Sequence, residues 1–319
     1  MKQIYTFGNY LKSKFACKVY KVGINISGFT CPNIDGTVAK GGCTFCENDS
    51  FSASTGEIQE LKGFHLNLNS KSNPNLQKQL DQLEMQFNAI SKRQREEYGA
   101  EKFLVYFQSF TNTYAPFPTL KALYDKALSF DNVVGLSIGT RSDSITEETL
   151  EYLSKLSKDK EIWIEFGIQS VYDETLEKIN RGHSSEMTKE WILKSKEKGL
   201  KVCGHLIFGL PDETQEMMLD TSKQAYDWGI DSVKYHPLYV VKKTALANDF
   251  VKGKFTPISE GEYLDVLVKS LQMKPENVSV QRVTAGIDDD SLLSPAWCRD
   301  KNKQIRNINK ALKPLKLKY

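Results

Sequence analysis

Apolar and polar positions along the chain fall into two alternating periods. Short runs rich in β-branched and aromatic residues lie at Val19–Ile26, Phe103–Phe107, Val133–Ile138, Ile162–Phe166, Val202–Phe208 and Ile230–His236. Each has the length and composition of a buried strand. Between them a 3.6-residue period predicts helices over Leu76–Glu97, Leu120–Leu128, Thr146–Leu156, Asp173–Ile179, Glu186–Lys198 and Glu213–Trp228. Thr146 has the chemistry of an N-cap, with Glu147 and Glu148 favourable in the first turn. Six strands alternating with helices predict a parallel α/β sheet. The polar stretch Asn67–Asn75 reads as a surface loop. The sequence has no internal repeat, low-complexity tract or Pro/Gly/Ser-rich linker.

Composition narrows the class. The 319 residues are 40% hydrophobic and 26% charged, enough to bury a large core and too ordered for a mainly disordered or coiled-coil chain. No run approaches about 18 apolar residues, so no membrane-spanning helix is expected. Met1-Lys2-Gln3-Ile4-Tyr5 lacks a signal-peptide core, and a cytoplasmic protein is expected. The six cysteines are therefore read as ligands or catalysts before disulfides. A net charge of +3 excludes a strongly basic nucleic-acid binder but not a local basic face.

Three cysteines are close together: Cys31, Cys43 and Cys46, in the spacing C-x11-C-x2-C. Gly41-Gly42 before the CxxC pair lets the backbone approach a bulky group. Three thiolates suit zinc or an iron–sulfur cluster. Structural zinc wants a fourth ligand, and the nearest histidine is His65, outside any finger spacing. A cubane cluster held by three cysteines keeps one iron open to a ligand. Coincidental thiols are the third reading.

The segments F-T-C-P-N-I-D-G-T, G-G-C-T-F-C, Y-F-Q-S-F-T-N-T-Y-A, S-I-G-T-R-S-D, E-F-G-I-Q-S-V-Y-D, N-R-G-H, I-F-G-L-P-D-E-T, V-K-Y-H-P-L and S-P-A-W-C run in this order from Phe29 to Cys298. With the cysteine triad ahead of the βα units, they resemble the radical S-adenosylmethionine (SAM) enzymes. Within them the chain resembles the branch of the Elongator catalytic subunit and the oxygen-independent coproporphyrinogen oxidases, and most of all the YhcC/YtqA-type bacterial proteins. The resemblance implies a partial (β/α)6 TIM-like barrel with a C-terminal α/β extension. It divides the chain into a core barrel over 1–240 and an extension over 241–319 that binds substrate or RNA. It implies a [4Fe-4S] cluster on Cys31, Cys43 and Cys46 and SAM on the open iron, cleaved to a 5′-deoxyadenosyl radical.

What the resemblance implies for other residues follows the strand ends, where barrels build their sites. Gln108 or Asn112 stands where many relatives carry a Gly-Gly-Glu motif for the SAM ammonium; a plain polar strand end is the alternative. Arg141 follows Gly139, where Elongator-like proteins have Glu. Glu165 and Gln169 flank Gly167, and Gln169 with Arg181 matches the pair that contacts SAM ribose and carboxylate in the coproporphyrinogen oxidases. The alternative for Arg181 is a salt bridge to Glu177. His205 points at the cavity, and Ile207 and Phe45 pack on the adenine. Cys298 is a radical relay or a plain buried thiol. Asp288-Asp289-Asp290 reads as a solvated turn.

The C-terminal stretch carries Lys301, Lys303, Arg306, Lys310, Lys313, Lys316 and Lys318 with no acid after Asp300. Such a run suits a phosphate backbone or is a solvated helix and tail. The family likeness favours tRNA as substrate and the wobble uridine as target, with 5-carboxymethylaminomethyl(-2-thio)uridine converted to its 5-aminomethyl form. Flavodoxin or ferredoxin as electron donor, and a downstream tRNA methyltransferase, are the implied partners. Small-molecule oxidation of the tetrapyrrole kind and a non-catalytic metal-containing RNA-binding protein are the competing readings.

Overall fold

The computed structural model describes residues 1–46, 61 and 63–319. A two-residue strand, β1 (Lys2–Gln3), precedes the helix Phe7–Phe15. Parallel strands then follow in the order β2 (Val19–Ile24), β3 (Lys102–Phe107), β4 (Val133–Thr140), β5 (Glu161–Gln169), β6 (Lys201–Phe208) and β7 (Ser232–Pro237). β8 (Val240–Val241) leaves this sheet and pairs antiparallel with β10 (Leu292–Ser294). β9 (Ser279–Arg282) pairs parallel with β7 and makes a seventh strand. The six strands predicted from sequence are all present. β9 is an addition, a four-residue strand too short for its alternation to stand out. Lys21 on β2 donates to Gln281 Oε1 on β9 at 2.6 Å, so the two edge strands approach and the sheet curls into a partial TIM-like barrel.

Strand alternation separates two cores. Outward residues such as Val105, Phe107, Leu136, Ile164, Phe166, Leu206 and Val233 pack under the surrounding helices with Leu83, Leu123, Leu153 and Val266. Inward residues are different in kind. At the N-terminal ends of the strands, Leu104, Trp163 and Cys203 close on Phe7 and Leu11 of the first helix. Thr6 caps that helix by accepting from Asn9 N–H at 3.2 Å. Phe7 meets Trp163 edge-on at 5.0 Å, and the Tyr10 hydroxyl donates to Glu161 at 2.5 Å. This plug shuts one end of the barrel and leaves the C-terminal end open.

The helix Lys301–Leu312 turns Gln304, Ile308 and Leu312 inward and packs on the helix Glu260–Met273. β11 (Leu317–Lys318) pairs parallel with β1 and ties the last residues to the first. Among the described residues no helix is long and apolar enough to cross a membrane.

Candidate active site

The open end of the barrel holds one cavity, lined by residues from the C-terminal ends of nearly every strand. Gln108 follows β3, Gly139 and Thr140 end β4, Gln169 ends β5, Ile207 lies near the end of β6, Pro237 ends β7 and Arg282 ends β9. The loop after β2 adds Cys31, Cys43 and Cys46.

The cysteine loop is braced from the far side of the barrel. Asn33 Nδ2 donates to the carbonyls of Asn180 at 2.5 Å and Arg181 at 2.9 Å, and Asn180 Nδ2 donates to those of Gly42 at 2.7 Å and Lys40 at 3.1 Å. Gly182 has φ +80°, and a Cβ there would fall 2.8 Å from Asn33 Oδ1 and 2.7 Å from Val38. The N-R-G-H segment thus acts as a clamp on the loop. Two donors also reach the Cys43 sulfur: Asn33 Nδ2 at 3.7 Å and Arg181 Nη1 at 3.8 Å.

Zinc asks for a fourth ligand and a compact set of donors. Sulfurs around one zinc, bound at about 2.3 Å, lie roughly 3.8 Å apart. Among the described residues, Glu165, Cys203 and His205 bring three ligand atoms within 4.8 Å of one another. His65, the zinc candidate, is exposed and absent from the cavity wall. Nor is the Glu165–Cys203–His205 group a metal site. Lysines already occupy Glu165, and burial pushes the Cys203 thiol up to about 12.

Beside the cysteines, three buried polar atoms have no partner among the described residues: Arg181 Nε, Arg141 Nη1 and Gln169 Oε1. The rest of each side chain is fixed. Arg181 Nη2 donates to Gly167 O at 2.8 Å, while Arg141 grips Asp143 through two nitrogens and Arg181 O at 2.8 Å. Gln169 has φ +66°, an uncommon conformation for a side chain of its size. A Cβ on Gly167 would lie 2.6 Å from Gln169 Nε2 and 2.7 Å from Arg181 Nη2, so only glycine leaves both groups room. Two donors and one acceptor therefore await a ligand with a carboxylate and an ammonium. Phe45 and Ile207 form an apolar wall with Leu210 and Leu238.

Several expected residues sit elsewhere or have other duties. Arg181 does not pair with Glu177. Asn112 is 2% exposed, is not on the cavity wall, and donates to Phe107 O at 3.1 Å and Gly139 O at 3.0 Å. Its Nδ2 thereby braces β3 to β4. Cys298 is fully buried among Tyr239, Val241, Ala285 and Leu292, off the cavity wall, with its thiol pushed up to about 12 by burial. Glu165 does line the cavity, but both of its oxygens are taken by protein donors. Lys21 and Ser137 reach Oε1; Lys234 at 2.5 Å and His205 Nε2 at 2.8 Å reach Oε2. His205 serves Glu165 rather than the ligand.

Glu165, Lys21, Lys234 and His205 form a charged layer between the plug and the cavity. Burial works against the Glu165 charge, but Lys21 and Lys234 outweigh it and hold the carboxyl well below the usual range. Burial lowers Lys21 to about 8 and His205 to about 4, so the imidazole is neutral at pH 7. Sequence reading missed Lys21, Lys234, His236 and Arg282. The signal available was a charged residue standing alone at an inward position of an otherwise apolar strand.

Comparison with known proteins defines the class that this fold and cavity belong to. A model of the Radical SAM superfamily matches residues 35–225, and one of the Radical_SAM C-terminal domain matches residues 230–314. The chain is 34% identical to the protein YtqA of Bacillus subtilis over 98% of its own length and 90% of that protein's. It belongs to the radical SAM superfamily and is an enzyme of that family, whose cofactors are a [4Fe-4S] cluster and SAM. It is also 33% identical to the tRNA uridine(34) acetyltransferase of Methanocaldococcus infernus, over 48% of this chain and only 29% of that protein. The fold is similar to that of the archaeal Methanocaldococcus infernus Elp3 lacking its N-terminus, with a TM-score of 0.62 at 20% identity. That likeness covers 94% of this chain and 64% of the other, so this chain spans less than two thirds of it.

Proposed function

We propose that this enzyme acts on the wobble uridine of tRNA and converts its 5-carboxymethylaminomethyl group to 5-aminomethyl. Bound at Cys31, Cys43, Cys46 and the adjoining wall, the cluster and SAM supply hydrogen-atom abstraction by a 5′-deoxyadenosyl radical. The cysteine loop, clamped by Asn33 and Asn180, holds the cluster. Arg181 Nε and Arg141 Nη1 receive the SAM carboxylate, Gln169 Oε1 accepts from its ammonium, and Phe45 and Ile207 pack on its adenine. Gln108 lines the same wall near the amino-acid end. On the substrate, the methylene between nitrogen and carboxylate is oxidised by two electrons to an imine. Water then splits the carbon–nitrogen bond, releasing the primary amine and glyoxylate. In balance, the methylene hydrogen atom would end on 5′-deoxyadenosine, the second electron would return to the cluster in place of the one that SAM cleavage takes from it, and the amine proton would pass to water.

The observation that carries the tRNA reading is the C-terminal run. Lys301, Lys303, Arg306, Lys310, Lys313, Lys316 and Lys318 are all exposed, on a helix and tail whose apolar side is buried. Such a face tracks a backbone of phosphates while one unstacked base enters the barrel mouth. The named activity of the acetyltransferase relative points to the same nucleotide. We assign residues 1–240 to the catalytic barrel and 241–319 to the extension that meets the RNA. The electron donor is of the flavodoxin or ferredoxin kind, in the cytoplasm, and the aminomethyl product suits a following tRNA methyltransferase.

The deciding experiment incubates reduced enzyme and SAM with tRNA bearing 5-carboxymethylaminomethyluridine, then weighs the digested nucleosides. Loss of the carboxymethyl mass with one 5′-deoxyadenosine per event is expected. An unchanged nucleoside despite SAM cleavage would remove the wobble-uridine reading. Replacing Lys313, Lys316 and Lys318 together with alanine should weaken tRNA binding and lower its salt slope by about 2–3, since each phosphate contact contributes slightly under one. A slope equal to wild type would mean that this face does not touch the backbone.

The SAM site is tested separately. Arg181→Ala removes a charge-assisted hydrogen bond of about 1.5–3 kcal/mol, which is roughly ten- to hundred-fold in SAM affinity. Arg181→Lys should recover little, because one ammonium cannot span Gly167 O, the Cys43 sulfur and the ligand. SAM bound by Arg181→Ala as tightly as by wild type would place the carboxylate elsewhere.

A further inference from the structure

Arg282 ends β9 on the wall of the same cavity, half-buried, in register with Lys234 of β7. Among the described residues its guanidinium forms no ion pair and no side-chain hydrogen bond. The other cations on this wall are held by protein partners, Arg181 by Gly167 O and the Cys43 sulfur. Lys21 and Lys234 share Glu165, and Arg141 holds Asp143. Glu165 is saturated by four donors, so no inward acid remains for Arg282.

The surroundings of Arg282 are cationic or neutral. Arg282 shares the cavity wall with the imidazoles of His205 and His236, whose rings lie 5.8 Å apart, and its charge is felt at Lys301, which begins the C-terminal helix. Burial first, then Arg282, keeps His236 uncharged, and its Nε2 is buried with no partner among the described residues. In this layer Lys21, Lys234 and Arg282 thus stand over one carboxylate, Glu165, while Glu161 at the plug is held by Tyr10, Lys14 and Trp163. His236 Nε2, on the same wall, is a second buried nitrogen with no partner among the described residues. Such a wall wants an anion, and a planar fork fits a carboxylate by two parallel hydrogen bonds.

We propose that Arg282, helped by His236, is the subsite for the carboxylate of the substrate's modified arm; this rests on the wobble-uridine reading above. Arg282 and the cysteines share one cavity, so an arm anchored at Arg282 presents its methylene to the SAM side. The product lacks the carboxylate and loses this anchor, which favours its release. A backbone phosphate is a poorer occupant, because Arg282 lies on the cavity wall while the phosphates follow the outer face.

The test uses anticodon stem-loops carrying either 5-carboxymethylaminomethyluridine or its primary amide, which keeps the shape and removes the charge. Dissociation constants are measured anaerobically on cluster-loaded, SAM-bound wild type, Arg282→Gln and Arg282→Lys. Wild type should prefer the acid roughly ten- to hundred-fold. Arg282→Gln should bind acid and amide alike, and Arg282→Lys should recover part of the preference. Iron content reports whether each variant is intact; if Arg282→Gln loses its cluster, Arg282→Lys decides by the size of its preference. An acid preference unchanged in both variants, or absent from wild type, overturns the subsite. So does an equal loss of affinity for both RNAs with the preference kept, which would mark a phosphate contact. Wild type that prefers the acid but leaves the nucleoside unaltered keeps the subsite and removes the wobble reaction. Conversion by an enzyme whose preference does not depend on position 282 does the reverse.

Discussion

Replacing any one of Cys31, Cys43 or Cys46 with alanine is expected to reduce anaerobically loaded iron from about four per chain to near zero and SAM cleavage to background. With these three thiolates as the proposed protein ligands of the cluster, the two that remain could not retain a cubane. Asn33 Nδ2 and Arg181 Nη1 lie 3.7 and 3.8 Å from the Cys43 sulfur and fix its place on the cavity wall. The other cysteines give the control. Cys203 and Cys298 are fully buried, with thiols pushed up to about 12 by burial, and a protonated thiol is a poor ligand. Alanine at Cys17, Cys203 or Cys298 should therefore leave iron and sulfide content as in wild type. Protein that takes up zinc and refuses iron under reducing conditions would remove the cluster from these three residues.

The cysteine loop and the barrel were legible in the sequence for physical reasons. A thiolate triad beside two glycines needs no tertiary context to be noticed. Buried parallel strands read as apolar runs because both of their faces are covered. The polar half of the site was less legible. Position at a strand end tells where Gln108, Gln169 and Arg181 stand, and all three line the cavity. It does not tell which polar atoms the protein itself consumes. Asn112 and Glu165 have the right address, yet their atoms serve Phe107, Gly139 and the two lysines. Arg282 was hidden by the brevity of β9. Lys21, Glu165 and Lys234 each interrupt an apolar run at an inward position, and only the curled sheet brings them together.

That convergence carries the second large effect. Glu165→Ala should destabilise the fold by about 3–5 kcal/mol, because it strands two buried ammonium groups without a counter-charge. Glu165 is 1% exposed and Lys234 is 3% exposed, so water cannot replace the lost partner. The pH dependence separates this cause from a simple cavity. In wild type the Glu165 carboxyl is held well below its unfolded value, near 4.3. Its contribution is therefore present at neutral pH and is lost as the solution is acidified through the carboxylate range. In the variant the lysines dominate. Lys21 is lowered to about 8 by burial even with Glu165 beside it, and falls further without it. The folded variant then binds fewer protons than the unfolded chain, whose lysines titrate near 10.4, so its stability rises with pH up to that value. The expected result is a melting temperature far below wild type at pH 6 that recovers towards pH 9. Joint replacement of Lys21 and Lys234 by Met and Glu165 by Leu should restore most of the stability at pH 6, since an apolar layer of similar volume needs no pairing. If Glu165→Ala melts with wild type at pH 6, the three charges do not support the cavity floor. If it melts low but does not change with pH, the loss is one of packing, and the lysines are not carrying charge beneath the site.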